Sequence, residues 1–554
     1  MHETSAALAA DAQSLDRVLD WRARETPDAP FLAFQGRPPL TFAATREAAL
    51  DLAFALERAG IGPGDRVVTL GRNSVDGVLL WFAIELLGAI DCPVNPAFTG
   101  QPLRHAIRLV EAGTVIAEPE LLARLDALEG DLPALVQCLV YPAPDAVPPQ
   151  VADKPATALR CDGERPADWH PAGARPWDLC SILFTSGTTG PSKGAMVTHA
   201  QAFATARQTV AGLKLTGADK LYCAHPLFHM SPRFCGIYAA MLTGMQVNYD
   251  TSFSAAGWID RIRATRSTVT IGHGPLLEMI HAEPERPDDA DTALTRIGTS
   301  PFPRHIAGDF ERRFGVKGIE TWGMTEVNIP CWHPYDEPLR AGSCGKVLDA
   351  DYEFQVVDPN TDAPLPAGSV GEFVVRPKRP WLLSPGYYGD PAATWRAWRN
   401  LWFHTGDSGY VDADGWVYFV DRLGDRIRRR AENISSFDIE VVARSHPAVL
   451  ECAAVGVPSE YASDDDVKLC VVWREGCAVE PIVLLAFLAQ QLPHHMVPRY
   501  LETLDALPRT PTQKVRKAVL RENAVTAQTW DRKAAGVSLR DLAAAGDAAP
   551  VRRA

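Results

Sequence analysis

From about residue 14 to residue 330, short β-rich apolar runs alternate with stretches of helical period, the order expected of parallel βαβ construction. Arg66 to Leu70 reads as a strand, Gly77 to Leu87 as a buried helix, and Cys180 to Phe184 and Thr268 to Ile271 as further strands. Between Leu121 and Trp177 the pattern dissolves into Pro-, Ala- and Asp-rich sequence that includes Pro148-Pro149, which predicts surface loops with short elements. Past Gly345 the chain turns β-rich, with strands over Tyr352 to Val357 and Glu372 to Val375 and a hairpin about Asp414-Gly415, a smaller β subdomain. Beyond Asp421 the runs Cys452 to Val457, Val467 to Trp473 and Pro481 to Leu492 predict a compact α+β unit of about a hundred residues. The stretch from Val525 to Ala554 is Ala-rich without a sustained apolar period and is expected to be a loosely held tail. The expected fold is therefore α/β: a large N-terminal domain over residues 1–421, a C-terminal domain over 422–524 and a tail over 525–554.

Composition narrows the partners more than the fold. Fifty-five Lys and Arg against 68 Asp and Glu give a formal net charge of −13, so no global field favours a polyanion and nucleic acid is a poor partner. Eleven scattered cysteines include no CxxC pair, which fits reduced thiols in a cytoplasmic protein. Met1 to Ser5 lacks the basic start of a signal peptide. The apolar run Val78 to Ile90 is interrupted by Glu85 and is shorter than the roughly 20 residues a membrane span needs. A soluble protein without integral membrane association is expected.

The strongest chemical signal is Thr185-Ser186-Gly187-Thr188-Thr189-Gly190-Pro191-Ser192-Lys193-Gly194, directly after a predicted strand. Glycine lets backbone approach a phosphate closely, hydroxyls and amide N–H groups donate to its oxygens, and a lysine adds a mobile cation. The loop is not a Walker A sequence: counted from Gly187, that pattern needs Gly where Ser192 stands and Ser or Thr where Gly194 stands. A P-loop kinase or ATPase is disfavoured accordingly.

This string resembles the signature of the adenylate-forming superfamily, the AMP-binding enzymes that include acyl-CoA synthetases, and further segments follow in the family's order. Trp322-Gly323-Met324-Thr325-Glu326 is similar to the segment in which Thr holds phosphate and Glu coordinates magnesium. A carboxylate suits that hard cation, although a Thr-Glu pair taken alone is more often a helix cap. Trp322 stands where Tyr is commoner. Gly298-Thr299-Ser300-Pro301 resembles the turn along the adenine and the acyl pocket, and Phe403-His404-Thr405-Gly406-Asp407 the segment whose Asp accepts the ribose hydroxyls.

In the same way, Arg422 resembles a ribose or phosphate contact and Gly424 the pivot of the C-terminal domain, with glycine suited to a large backbone rotation. Arg428, Ala431 and Glu432 fall in the loop that lines the pantetheine tunnel, where Ala431 replaces the usual Gly and the Arg428 to Arg430 run either binds CoA phosphates or is a solvated face. Lys514 matches the catalytic lysine, with Gln513 in place of Gly. His229, in Pro226-Leu227-Phe228-His229-Met230, matches a Phe-His segment beside the acyl pocket and is equally a cap on an apolar run. Phe228, Trp322 and Trp332 either form an aromatic wall for a compact or cationic substrate or belong to the core.

The resemblance spans most of the chain to about Leu520 and is nearest to the crotonobetaine/carnitine–CoA ligase group. It implies an acyl-CoA synthetase-like fold with a mobile C-terminal domain and an acid–CoA ligase that uses ATP, Mg²⁺ and coenzyme A on a small carboxylate. It leaves a homodimer open. Two alternatives stand beside it: an adenylating enzyme that loads a carrier-protein phosphopantetheine, and a nucleotide-binding regulatory protein without turnover, toward which only Ala431 and Gln513 point.

Overall fold

The structure, a computed structural model, describes residues 13–128, 132–185, 192–423, 427–429, 432–434, 436–459, 465–492, 494, 496–509, 514–539 and 542. Two sheets dominate the N-terminal part. One places strands Leu179–Thr185, Ile90–Val94, Arg66–Leu70, Thr114–Ala117, Gln137–Val140 and Lys154–Ala158 side by side in parallel, with Lys193–Thr198 antiparallel on the edge next to Leu179–Thr185. The other has a parallel centre in the order Lys317–Met324, Arg296–Thr299, Val269–Gly272, Lys220–Cys223, Gln246–Tyr249 and Pro30–Phe34. Such crossovers place helices on sheet faces and bury the strands from both sides.

The helix Val75–Leu86 shows why the layers close. Ser74 Oγ accepts the Gly77 N–H at 3.0 Å and caps its first turn. Val75 and every residue from Val78 to Leu86 are buried, Glu85 included, and a helix buried on nearly all its faces belongs between layers. One core accordingly joins Phe82 and Ile84 of this helix to Val67 and Leu183 of the first sheet and to Leu32, Leu221 and Val247 of the second.

The β-rich region after Gly345 is continuous in hydrogen bonding with the second sheet rather than a separate sheet. Lys317–Met324 is parallel to one neighbour and antiparallel to the other, Asn328–Trp332, and from there Gly345–Val347, Trp416–Arg422, Phe403–Val411, Gly371–Pro377 and Tyr352–Val357 extend the order. The hairpin about Asp414-Gly415 forms as its turn chemistry predicts. The C-terminal unit packs Ser436–Arg444 and Pro481–Gln491 on strands Val449–Pro458, Asp465–Trp473, Tyr500–Thr503 and Trp530–Asp531.

One expectation is refined and one corrected. The region 121–177, read as surface loops with short elements, contributes Gln137–Val140 and Lys154–Ala158 to the first sheet; the second is half-exposed and next to the edge, where the two-residue strand Gln150–Val151 pairs with it, so its residues lack the apolar run that marks a strand buried on both faces. The described part of the tail is likewise tied down. Trp530–Asp531 pairs with Tyr500–Thr503, Arg499 holds Asp531 at 2.9 Å, and Leu542 is buried in the C-terminal core. A two-residue strand anchored by an ion pair carries no periodicity to read. Among the described residues no helix is long and apolar enough to cross a membrane.

Candidate active site

In an open α/β sheet, ligands bind outside the carboxyl ends of the parallel strands, and the predicted residues converge there. Lys220–Cys223 leads to His225 and His229, Val269–Gly272 to His273, Arg296–Thr299 to Ser300, and Lys317–Met324 to Thr325 and Glu326. The Trp322 to Glu326 segment turns back sharply into Asn328–Trp332. Gly323 is required in it, because a Cβ there would lie 2.1 Å from the Asn328 carbonyl oxygen.

One end of the site is built from charged and strongly hydrogen-bonded groups. Asp407 is buried on the strand Phe403–Val411, directly opposite Arg422 on the next strand. Gly406 before it has φ of +71°, a conformation glycine adopts without strain, and the Gly406 N–H donates to Glu372 Oε1 at 3.0 Å. Glu372 Oε2 accepts from His404 Nδ1 at 2.9 Å and from Arg399 at 3.0 Å, so a buried carboxylate fixes the loop from behind. Trp322 Nε1 donates to Asp407 Oδ2 at 3.0 Å, and Arg422 Nε lies 3.3 Å from Oδ1. Oδ1 has no hydrogen-bond partner among the described residues. Burial pushes the Asp407 pKa up, against Arg422, Trp322 and Lys514, which pull it down.

Thr185 and Lys193, the ends of the predicted phosphate loop, are paired across adjacent strands, and the Lys193 ammonium stands 4.8 Å from the Tyr387 ring centroid. The Tyr387 hydroxyl donates to Glu326 Oε1 at 2.9 Å. Glu326 is buried and its pKa is raised, burial outweighing Tyr387 and Arg422. A desolvated carboxylate in this position gains from a cation beside it, and its oxygens suit Mg²⁺. Thr325 is held by its carbonyl, which accepts from Gln201 Nε2 at 2.8 Å.

Lys514 arrives from the C-terminal unit. Val515 bridges to Arg509, and the Arg516 N–H donates to the Pro508 carbonyl at 2.7 Å, so the segment closes on itself. Lys514 is exposed as a whole residue, yet protein groups crowd it enough to lower its pKa: desolvation comes first, Arg422 adds to it, and Asp407 and Glu326 oppose it. Lys514 thus faces both predicted carboxylates. It also faces His229 and His273, whose pKa values fall to about 3 and about 4, chiefly through burial and then through Lys514.

The His225–His229 loop is braced by residues that no motif marks. Asn73 Nδ2 donates to the His225 and Asp250 carbonyls at 3.0 and 3.2 Å, and Asn73 Oδ1 accepts the Leu227 N–H at 2.8 Å. Buried Arg233 donates to the Leu227 carbonyl and pairs with buried Asp91. His225 Nε2 lies 2.9 Å from His273 Nδ1. The one signal for Asn73 is its place just before the capping Ser74. The signal for the histidines is topological, because Leu221 pairs with Val269 and Tyr222 with Thr270, which aligns the ends of both strands.

Other expectations come out differently or fall outside the description. Trp322 and Trp332 do not form one wall: Trp322 packs edge-on against Phe354 and Phe373, whereas Trp332 belongs to the core between the sheets and lies against Gly212. Both are apolar enough to be drawn into whichever core is nearest. Thr299 turns inward, its hydroxyl donating to the Pro301 carbonyl at 2.9 Å, next to exposed Ser300; Gly298 lies against Leu213. Ser186, Gly187, Thr188, Thr189, Gly190, Gly424, Ala431 and Gln513 lie outside the described residues, as do the side chains of Arg428 and Glu432.

This gathering of the buried carboxylates Asp407 and Glu326 with Lys514 of the C-terminal unit at the carboxyl ends of the parallel strands belongs to an AMP-forming acyl-CoA synthetase, as comparison with known families shows. The chain belongs to the AMP-binding enzyme family: residues 19–388 match that family's model, and residues 438–514 match the AMP-binding enzyme C-terminal domain. It is 30% identical over 504 residues to a feruloyl-CoA synthase of Amycolatopsis sp., covering 90% of this chain and 97% of that protein. It is 28% identical over 476 residues to the crotonobetaine/carnitine–CoA ligase of Salmonella agona (strain SL483), covering 83% and 89%. The ATP-bound crystal structure of MatB from Rhodopseudomonas palustris superposes with a TM-score of 0.79 at 25% identity, covering 92% of this chain and 98% of that one.

Proposed function

We propose that this AMP-forming acyl-CoA synthetase joins a small carboxylic acid to the thiol of coenzyme A in two half-reactions at one site. The observation that carries the reading is that Lys514 comes within electrostatic reach of Glu326, Asp407, Arg422 and His229. In the first half-reaction a carboxylate oxygen bonds to the α-phosphorus of ATP, the bond to the β-phosphate bridging oxygen breaks, and pyrophosphate leaves. Two anions must meet, so catalysis rests on alignment and on cations placed where charge gathers. Lys514 and Lys193 supply those cations. Asp407 Oδ1, ion-paired with Arg422 but without a hydrogen-bond partner among the described residues, is oriented by Trp322 and Arg422 to accept ribose hydroxyls. Glu326 is the residue that would hold Mg²⁺, which when bound spreads phosphate charge.

In the second half-reaction the thiol sulfur bonds to the acyl carbon and AMP leaves, the thiol proton passing to solvent or to a neighbouring base. We assign the change between halves to rotation of the C-terminal domain about Gly424, withdrawing Lys514 and presenting the Arg428, Ala431 and Glu432 loop to the pantetheine. Relatives that are CoA ligases support coenzyme A as the acceptor. The test is to incubate the protein with ATP, Mg²⁺ and a panel of carboxylates, with and without coenzyme A, following pyrophosphate and acyl-CoA by mass spectrometry. Lys514→Ala is expected to slow pyrophosphate release by about 10²–10³-fold, the usual loss of one preorganised charge. Gly424→Pro is expected to impair thioester formation more than adenylate formation, and equal losses count against the rotation. Pyrophosphate release without acyl-CoA would redirect the reading to a carrier-protein acceptor.

A further inference from the structure

We infer that the His225–His273 pair is the point of the acyl pocket that recognises a neutral oxygen on the substrate, so that the preferred acid carries a hydroxyl, ether or carbonyl group beyond its carboxylate. The inference deepens the ligase reading above and rests on it. Both residues leave the carboxyl ends of adjacent parallel strands, where this sheet gathers its ligand-facing groups. The turn beside them is shared with the predicted adenine and acyl segment, because Gly274, next to His273, lies against Pro301. Lys514 is within electrostatic reach of Asp407, Glu326 and Arg422 and also of His229 and His273. If the reacting carboxylate and α-phosphate meet at Lys514, the histidines face the acyl half.

The ring geometry then fixes what His273 offers. Its Nδ1 is taken by His225 Nε2 at 2.9 Å, which leaves Nε2 for a ligand. His225 is buried, and its Nδ1 has no partner among the described residues. A bare nitrogen is tolerated in such a place more readily than an orphaned N–H. His225 therefore keeps its proton on Nε2 and donates it to His273 Nδ1, and His273 carries its own proton on Nε2. The outward group is a hydrogen-bond donor without charge, since burial first and neighbouring His273, His229 or Lys514 next hold both imidazoles in the neutral form. Among the described residues Lys514 is the cation that acts on His229 and His273, and the reacting groups already need it, so a second carboxylate gains little here. A plain hydrocarbon would leave the donor unpaired.

The test uses the full chain in ATP–pyrophosphate exchange with matched acids that differ by one oxygen, such as butyrate and 3-hydroxybutyrate or benzoate and 4-hydroxybenzoate, and with succinate as the dicarboxylate. The account expects kcat/KM to favour the oxygenated member of at least one pair by about tenfold or more. His273→Ala is expected to bring that ratio down about tenfold toward one, and His273→Asn, which restores an N–H donor, to recover most of it. Thermal unfolding of both variants shows whether they fold, and His225→Leu, which frees the His273 ring to turn, is expected to lower the same ratio if His273→Ala does not fold. Exchange with no preference in any pair, a ratio indifferent to these variants, or succinate as the best substrate would overturn the inference while leaving the ligase standing. Absence of exchange with every acid would overturn the ligase reading and this inference with it.

Discussion

The two ends of the crevice are built on opposite principles. Around Asp407 stand committed polar partners: Trp322 on one oxygen, Arg422 beside the other, and Glu372 holding the loop through Gly406 and His404. Around His225 and His273 the groups are neutral imidazoles, and the charges that brace them are set one layer back, in Arg233 and Asp91. The nucleotide is the same molecule in every turnover, so that end can afford fixed, desolvated charge aimed at fixed hydroxyls and phosphates. The acyl end must instead discriminate among acids, and in the reading proposed above it does so with uncharged donors whose cost when unpaired supplies the selectivity.

Removing the brace behind the acyl end should have the largest effect. Arg233→Ala leaves Asp91 as an uncompensated buried charge and frees the Leu227 carbonyl, a loss of about 3–5 kcal/mol of stability readable by chemical denaturation. A loss below about 1 kcal/mol would show that the His225–His229 loop does not depend on this pair. At the nucleotide end, Asp407→Asn removes the charge that would accept ribose hydroxyls and should cost about 10- to 100-fold in kcat/KM for ATP. Unchanged ATP kinetics would place the ribose elsewhere. Trp322→Phe keeps an aromatic ring between Phe354 and Phe373 but deletes the donor to Asp407; a rise in the KM for ATP of about threefold to tenfold is expected. Stacking alone would leave it unmoved.

The smallest effect lies in Glu85, a buried carboxylate bonded to Trp81 and Ser181 behind the acyl end. Burial raises its pKa to about 8, against Trp81 and Arg233, so the native state holds a proton that the unfolded chain releases near pH 4.5. Stability from this group is complete below about pH 4.5, declines as pH rises and is lost by about pH 8. Glu85→Gln should therefore gain on the wild type, by about 1 kcal/mol or more, between pH 5 and pH 8.5. A difference independent of pH would mean that Glu85 is ionised in the native protein.

The sequence made one end of the site far more readable than the other, and the reason is physical. Thr185, Lys193, Thr325, Glu326, Asp407 and Lys514 stand in local strings whose glycines and hydroxyls are demanded by backbone geometry, as the Gly323 and Gly406 environments show. His225 and His273 are 48 positions apart in sequence and meet only because two parallel strands run in register. Asn73 acts through backbone carbonyl and amide contacts, and Glu372 through the Gly406 amide and the His404 and Arg399 side chains, none of which leaves a local pattern. The fold divides similarly: Tyr352–Val357 and Arg66–Leu70 appear where their apolar runs predict, whereas Lys154–Ala158 and Trp530–Asp531 depend on neighbours distant in sequence.

The division of labour along the crevice is tested most directly by measuring, in one ATP–pyrophosphate exchange assay, how Asp407→Asn and His273→Ala each change the KM for ATP and the preference between an oxygenated acid and its deoxy partner. The account predicts a crossed result: Asp407→Asn raises the KM for ATP and leaves the acid preference in place, and His273→Ala erodes the preference and leaves the KM for ATP within about twofold. If both variants move both quantities alike, the two ends do not act separately and the account is wrong.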